Sequence, residues 1–155
     1  MAFQVLARKW RPQQFDDVIG QRGVTQTLRN AIGAGRIAQS FVFSGPRGVG
    51  KTTTARILAR ALNCETGPTA DPCGVCDACI EIAQGRNMDV LEIDAATNTQ
   101  IDKVRDVIIT GLGIAPVRDR YKIFIIDEVH RLSPQSFDAQ DWGERRWTSS
   151  MMKIL

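Results

Sequence analysis

A chain of 155 residues is one domain's worth of sequence, and 43% hydrophobic with 24% charged residues is the make-up of an ordinary soluble globular protein. The formal net charge of +3, from 20 basic and 17 acidic residues, is too mild to imply a nucleic-acid partner by itself. There is no apolar run of about 18 residues and no apolar stretch near Met1 long enough for a signal peptide, so no membrane span is indicated and cytoplasmic residence is the default expectation.

In chain order, Arg11 to Gln21 reads as an irregular strap, followed by a helix over Val24–Ile32. Ser40-Phe41-Val42-Phe43-Ser44 is a short apolar run that stops at Gly45-Pro46, the pattern of a buried strand entering a loop. Lys51 to Leu62 carries Ile57, Leu58, Ala61 and Leu62 at helical spacing, without Gly or Pro. Asn63 to Pro72 holds Gly67, Pro68 and Pro72 and reads as a loop or insertion, with a short helix over Val75–Gln84 behind it. Asp89 to Asp94 is a second strand. Ile101 to Ile109 is a helix preceded by the capping candidates Thr97, Asn98 and Thr99. Tyr121 to Ile126 is the strongest strand signal, nearly continuously apolar, as expected of a strand covered on both faces. Alternating strands and helices give an α/β class with a parallel sheet flanked by helices.

Gly45-Pro46-Arg47-Gly48-Val49-Gly50-Lys51-Thr52 fits G-x-x-x-x-G-K-[ST], a phosphate-binding P-loop between a strand and a helix. The glycines let main-chain N–H groups wrap a polyphosphate, and the helix that follows points its positive end at the same place. Lys51 places a charge on the terminal phosphates, and the Thr52 hydroxyl is a Mg²⁺ ligand, with Thr53 next to it at the helix start. The strand ending at Ile126 is followed by Asp127 and Glu128. Asp127 is expected to hold Mg²⁺ through its water shell and Glu128 to polarise an attacking water. Acids after a strand also occur simply because helix N-termini favour negative charge. His130, the single histidine, reads as a packing or hydrogen-bonding residue.

All four cysteines follow C-x8-C-x2-C-x2-C over Cys64, Cys73, Cys76 and Cys79. Four thiolates suit tetrahedral Zn²⁺ in a closed structural site. Buried reduced thiols and an iron–sulfur cluster are the competing readings. The missing Cys-Pro and the eight-residue first gap favour zinc.

These residues together carry a resemblance. Leu6 to Pro12, Phe15 to Gln21, the P-loop, the cysteine cluster, Glu92-Ile93-Asp94-Ala95-Ala96 and Ile125 to His130 resemble the tau/gamma family of bacterial DNA polymerase III, the AAA+ ATPases of the sliding-clamp loader. The resemblance covers about residue 3 to Ala139, with the zinc insertion at 63–80 as its most specific feature. It implies an ATP-binding and hydrolysing subunit of a five-membered ring that loads the sliding clamp on primed DNA. It also implies adenine contacts from Ala7, Arg11, Pro12, Val18 and Ile19. Arg105, on the helix that would face DNA, is a candidate phosphate contact or an exposed helix charge.

The family pattern stops at Ala139, and 140–155 reads as an atypical tail with two tryptophans, charges and no helical period. The expectations are a partial AAA+ core over 1–139 with three sheet strands, a bare edge on the last one, and no sensor strand, arginine finger or lid. Nucleotide binding is then expected to be weak, and hydrolysis slow or absent. An inert P-loop fragment or a relative of AAA+ branch-migration helicases are the alternatives.

Overall fold

A computed structural model describes residues 10–95, 106, 110–111 and 113–128, and the backbone of 150–154. Ala7, Arg105 and His130 lie outside the described residues, as does most of the helix expected over Ile101–Ile109. The elements are a 3-10 turn at Phe15–Asp17, α1 at Arg22–Gly33, β1 at Ser40–Phe43, α2 at Lys51–Asn63, α3 at Asp77–Gln84, β2 at Val90–Asp94, β3 at Ile123–Asp127 and β4 at Ser150–Ile154.

The sheet order is β1-β4-β3-β2. β2 and β3 are parallel, with Val90 opposite Ile123 and Asp94 opposite Asp127. β4 runs antiparallel to both its neighbours, so β1, β2 and β3 all point the same way. That shared direction is the α/β architecture expected from the sequence, and it brings the carboxyl ends of β1 and β3 to the same edge.

The expectation of three strands with a bare edge is corrected here. Ser150–Ile154 fills the slot between β1 and β3, where Met151 is opposite both Val42 and Ile126. An unpaired strand edge leaves a row of N–H and C=O groups without partners. One short segment satisfies two such rows at once.

β3 is buried on both faces, which explains its unbroken apolar run. Ile123 and Ile125 face a core with Ile57, Leu58 and Leu62 of α2, Ile82 of α3, Leu28 and Ile32 of α1, and Phe15. Phe124 faces the other way, against Ile93 and Leu91. Gly111 lies so close above its ring that a Cβ there would sit 2.5 Å from Phe124 Cζ.

Nine residues of α2 are buried. Its last carbonyls, which have no partner within the helix, are met from outside. Arg120 Nη1 donates to Leu62 O at 3.0 Å and Cys64 O at 3.3 Å. Asn63 exchanges two hydrogen bonds of 2.9 Å with the Tyr121 backbone. Asp89, 1% exposed, accepts from the N–H groups of Val117, Arg118 and Asp119 at 2.7, 2.9 and 2.8 Å. These contacts fix the segment that leads into β3.

Candidate nucleotide and metal sites

The loop between β1 and α2 turns through glycines. Gly48 and Gly50 adopt φ of 83° and 94°, a left-handed backbone that side chains disfavour, and Gly50 caps α2. Lys51 Nζ donates to Gly45 O at 2.8 Å and Pro46 O at 2.9 Å, so the ammonium lies over the loop. Arg47 and Pro46 stand exposed on its crest, while Val49 and Thr53 are half-buried.

β3 delivers its acids to this loop. Thr52 Oγ1 donates to Asp127 Oδ2 at 2.5 Å, although the two residues are far apart in sequence. Glu128 follows with φ of 53° and brings Oε1 within 3.9 Å of Arg47 Nη2. The sheet therefore gathers Lys51, Thr52, Asp127 and Glu128 around the start of one helix, a place suited to an anion and a divalent cation. Arg56 on the next turn of α2 forms a two-pronged pair with Glu92 of β2, at 2.7 and 2.6 Å.

Beside the loop is a cleft of about 480 Å³, lined among others by Gln21, Val24, Phe41, Phe43, Val49 and Lys51. Among the described residues, Arg11, Pro12, Val18 and Ile19, expected at adenine, do not line it. Arg11 and Pro12 are half-buried, Val18 packs into the core, and Ile19 is 95% exposed. Neighbouring apolar residues look alike in sequence, and the 3-10 turn sorts them to opposite sides. Gln21, Val24 and Phe43 carry no sign of a shared cleft in the sequence, because they come from separate elements with no common spacing.

The four cysteine sulfurs lie within 4.8 Å of one another. Tetrahedral zinc with Zn–S bonds of about 2.3 Å needs sulfurs roughly 3.8 Å apart, so this donor set fits the ion with a small contraction. Cys64 and Cys79 are buried, Cys73 and Cys76 half-buried. Main-chain N–H groups point at sulfur, from Cys73 to Cys64 at 3.4 Å, Cys76 to Cys73 at 3.4 Å and Cys79 to Cys76 at 3.5 Å. Burial pushes the Cys64 thiol up, but donors on Cys73 and Thr66 outweigh it and bring it down to about 6. Cys76 is lowered in the same way, its burial being outweighed by hydrogen bonds from Glu65, Cys79 and Cys73. Cys79 is pushed up to about 12, first by burial and then by its sulfur neighbours. The loop thus stabilises negative sulfur at two positions and resists it at a third, and a bound cation relieves that conflict.

Comparison with known proteins identifies the family. The family described as DNA polymerase III, delta subunit, matches residues 20–139. The chain belongs to this family. It is similar to DNA polymerase III subunit tau of Salmonella typhimurium and of Escherichia coli, each 57% identical over 139 residues, 90% of this chain. It is 48% identical over 139 residues to DNA polymerase III subunit gamma of Buchnera aphidicola. The chain spans 22% of the length of those two tau subunits and 38% of that gamma subunit. Among the described residues, no helix is long and apolar enough to cross a membrane.

Proposed function

We propose that this chain is the nucleotide-binding part of a clamp-loader subunit of bacterial DNA polymerase III, working in the cytoplasm. It binds ATP with Mg²⁺ at Gly45–Thr53 and Asp127, and a structural Zn²⁺ at Cys64, Cys73, Cys76 and Cys79. Its partners are the other subunits of a five-membered ring, the sliding clamp and primed DNA. Similarity to tau and gamma subunits supports the polymerase complex. The observation that carries the nucleotide reading is the meeting of the Thr52 hydroxyl and the Asp127 carboxylate beside the loop.

The chemistry follows from the residues. Loop amides and the α2 N-terminus hold phosphate oxygens. Lys51 moves from the Gly45 and Pro46 carbonyls to the terminal phosphates, exchanging two neutral acceptors for charged ones. Thr52 and Asp127 hold the metal ion, which neutralises phosphate charge when bound. Glu128 orients the attacking water once it leaves Arg47. The strap residues Ala7, Arg11, Pro12, Val18 and Ile19 stay proposed for the adenine side and Arg105 for DNA phosphate. The family pattern covers 1–139, and 140–155 stands apart from it.

The test is binding of a fluorescent ATP analogue with and without Mg²⁺. Losing the charge-assisted bonds of Lys51 in Lys51→Ala costs about 1.5–3 kcal/mol, a roughly 10- to 150-fold weaker Kd. Asp127→Asn abolishes the Mg²⁺ dependence. Equal and negligible binding by the unaltered chain and Lys51→Ala identifies an inert fragment instead.

A further inference from the structure

Two arginines tie the N-terminal strap to the cysteine loop. Arg29 of α1 reaches Asp16 in the strap at 3.1 Å and Asp71 in the loop at 3.0 Å. Arg60 of α2, 4% exposed, donates from Nη1 to Gln13 O and Gln13 Oε1, both at 2.7 Å. Its other side lies against the loop, where a Cβ on Gly74 would come within 3.4 Å of Arg60 Nη2. Asp71 lies two residues before Cys73 and Gly74 directly after it, so both approaches start beside a residue the metal would fix. Residues 13–18 of the strap have further anchors of their own. The turn closes on itself through Asp17, which accepts from the Gln13 and Gln14 amides, and it buries Phe15 and Val18.

We propose that the four-cysteine loop is a brace for the strap: a metal ion in the loop holds Asp71 and Gly74 in place, and Arg29 and Arg60 pass that order to residues 11–18. Arg29 and Arg60 are positioning residues in this arrangement. Without the ion, the sulfurs of a loop rich in Gly and Pro lose their common centre, and Arg29 and Arg60 still reach Asp16 and Gln13 but are no longer pinned from the loop side. This brace operates whatever binds at the P-loop, and its failure leaves the nucleotide reading untouched.

The experiment is amide hydrogen exchange by mass spectrometry on the full chain. It compares zinc-loaded protein, chelator-treated protein and zinc-loaded Asp71→Ala, with metal content measured for each. Peptides over 13–18 report the strap, and peptides over 123–127 report the core. Chelation is expected to speed exchange of the strap about tenfold with the core unchanged. Asp71→Ala removes one end of an exposed ion pair and leaves all four sulfurs. It is expected to bind one zinc and speed the strap by about two- to fivefold. A strap that exchanges at the same rate in Asp71→Ala as in the unaltered protein overturns the proposal. That comparison also decides the matter if chelation loosens the core as well. A strap untouched by chelation, while peptides over 65–75 speed up, overturns it equally.

Discussion

Asp89 offers the sharpest quantitative test of how this fold is held. Its carboxylate is buried and satisfied by three main-chain N–H groups from 117–119. Hydrogen bonds to a charged group are each worth about 1.5–3 kcal/mol, and a buried donor left without a partner costs a further desolvation term. The gross sum overstates the loss, because Val117 is 64% exposed and water can reach amides nearby once the carboxylate is gone. Asp89→Ala is therefore expected to destabilise by about 3 kcal/mol, and Asp89→Asn, which keeps one acceptor oxygen, by about 2 kcal/mol. Burial alone would raise the Asp89 pKa. The three N–H groups outweigh it, with help from the Lys122 ammonium, and hold it below the usual carboxylate range. A carboxylate that is depressed in the folded state and titrates near 3.9 when unfolded stabilises fully above that value. The contribution is lost as pH falls further, through the folded pKa. Urea unfolding followed by circular dichroism at pH 7, 5, 4 and 3 measures this directly. The gap between the unaltered protein and Asp89→Ala should be widest at pH 7 and narrow below pH 4. A gap under about 0.5 kcal/mol at pH 7, or one that widens in acid, refutes the account of Asp89 as the tether of β3.

Removing the metal should release one colourless ion per chain, lower Tm, and free four thiols to a thiol reagent; visible absorbance from the bound metal would rule zinc out in favour of an iron–sulfur cluster. Gly111→Ala forces a methyl group into the Phe124 ring. It should cost about 1–3 kcal/mol in chemical denaturation, and a neutral result would show that the ring has room to move. Arg120→Ala strips the cap from the Leu62 and Cys64 carbonyls. It should destabilise by about 1–2 kcal/mol and hasten zinc release to a chelator, and unchanged release would separate the cap from the metal loop.

The parts legible from sequence alone were those whose chemistry demands fixed spacing. The glycines, lysine and threonine of the P-loop motif fall within eight positions and the cysteines cluster, so both patterns stand out in a linear string, and the structure brings Thr52 to Asp127 and the four sulfurs together. β3 was legible because burial on two faces leaves no polar position. Other features depend on distant backbone. Nothing about Asp89 hints that its partners are amides about thirty positions later. Val18 and Ile19 are interchangeable by composition, yet one joins the core and the other points to solvent. Ser150–Ile154 has no periodicity to read, because its place is set by the slot between two strands rather than by its own pattern.

That slot has a consequence for assembly. Among the described residues β1 pairs only with β4, and Ser40 is opposite Lys153, roughly 110 positions later. Such pairing closes a very long loop before it gains anything, so β1 is expected to lock late in folding. The phosphate loop hangs from the end of β1. Until the last-arriving strand docks, the glycine turn has a helix behind it but no sheet beneath it, so the proposed nucleotide site should mature after the cysteine loop and the β2–β3 pair have formed.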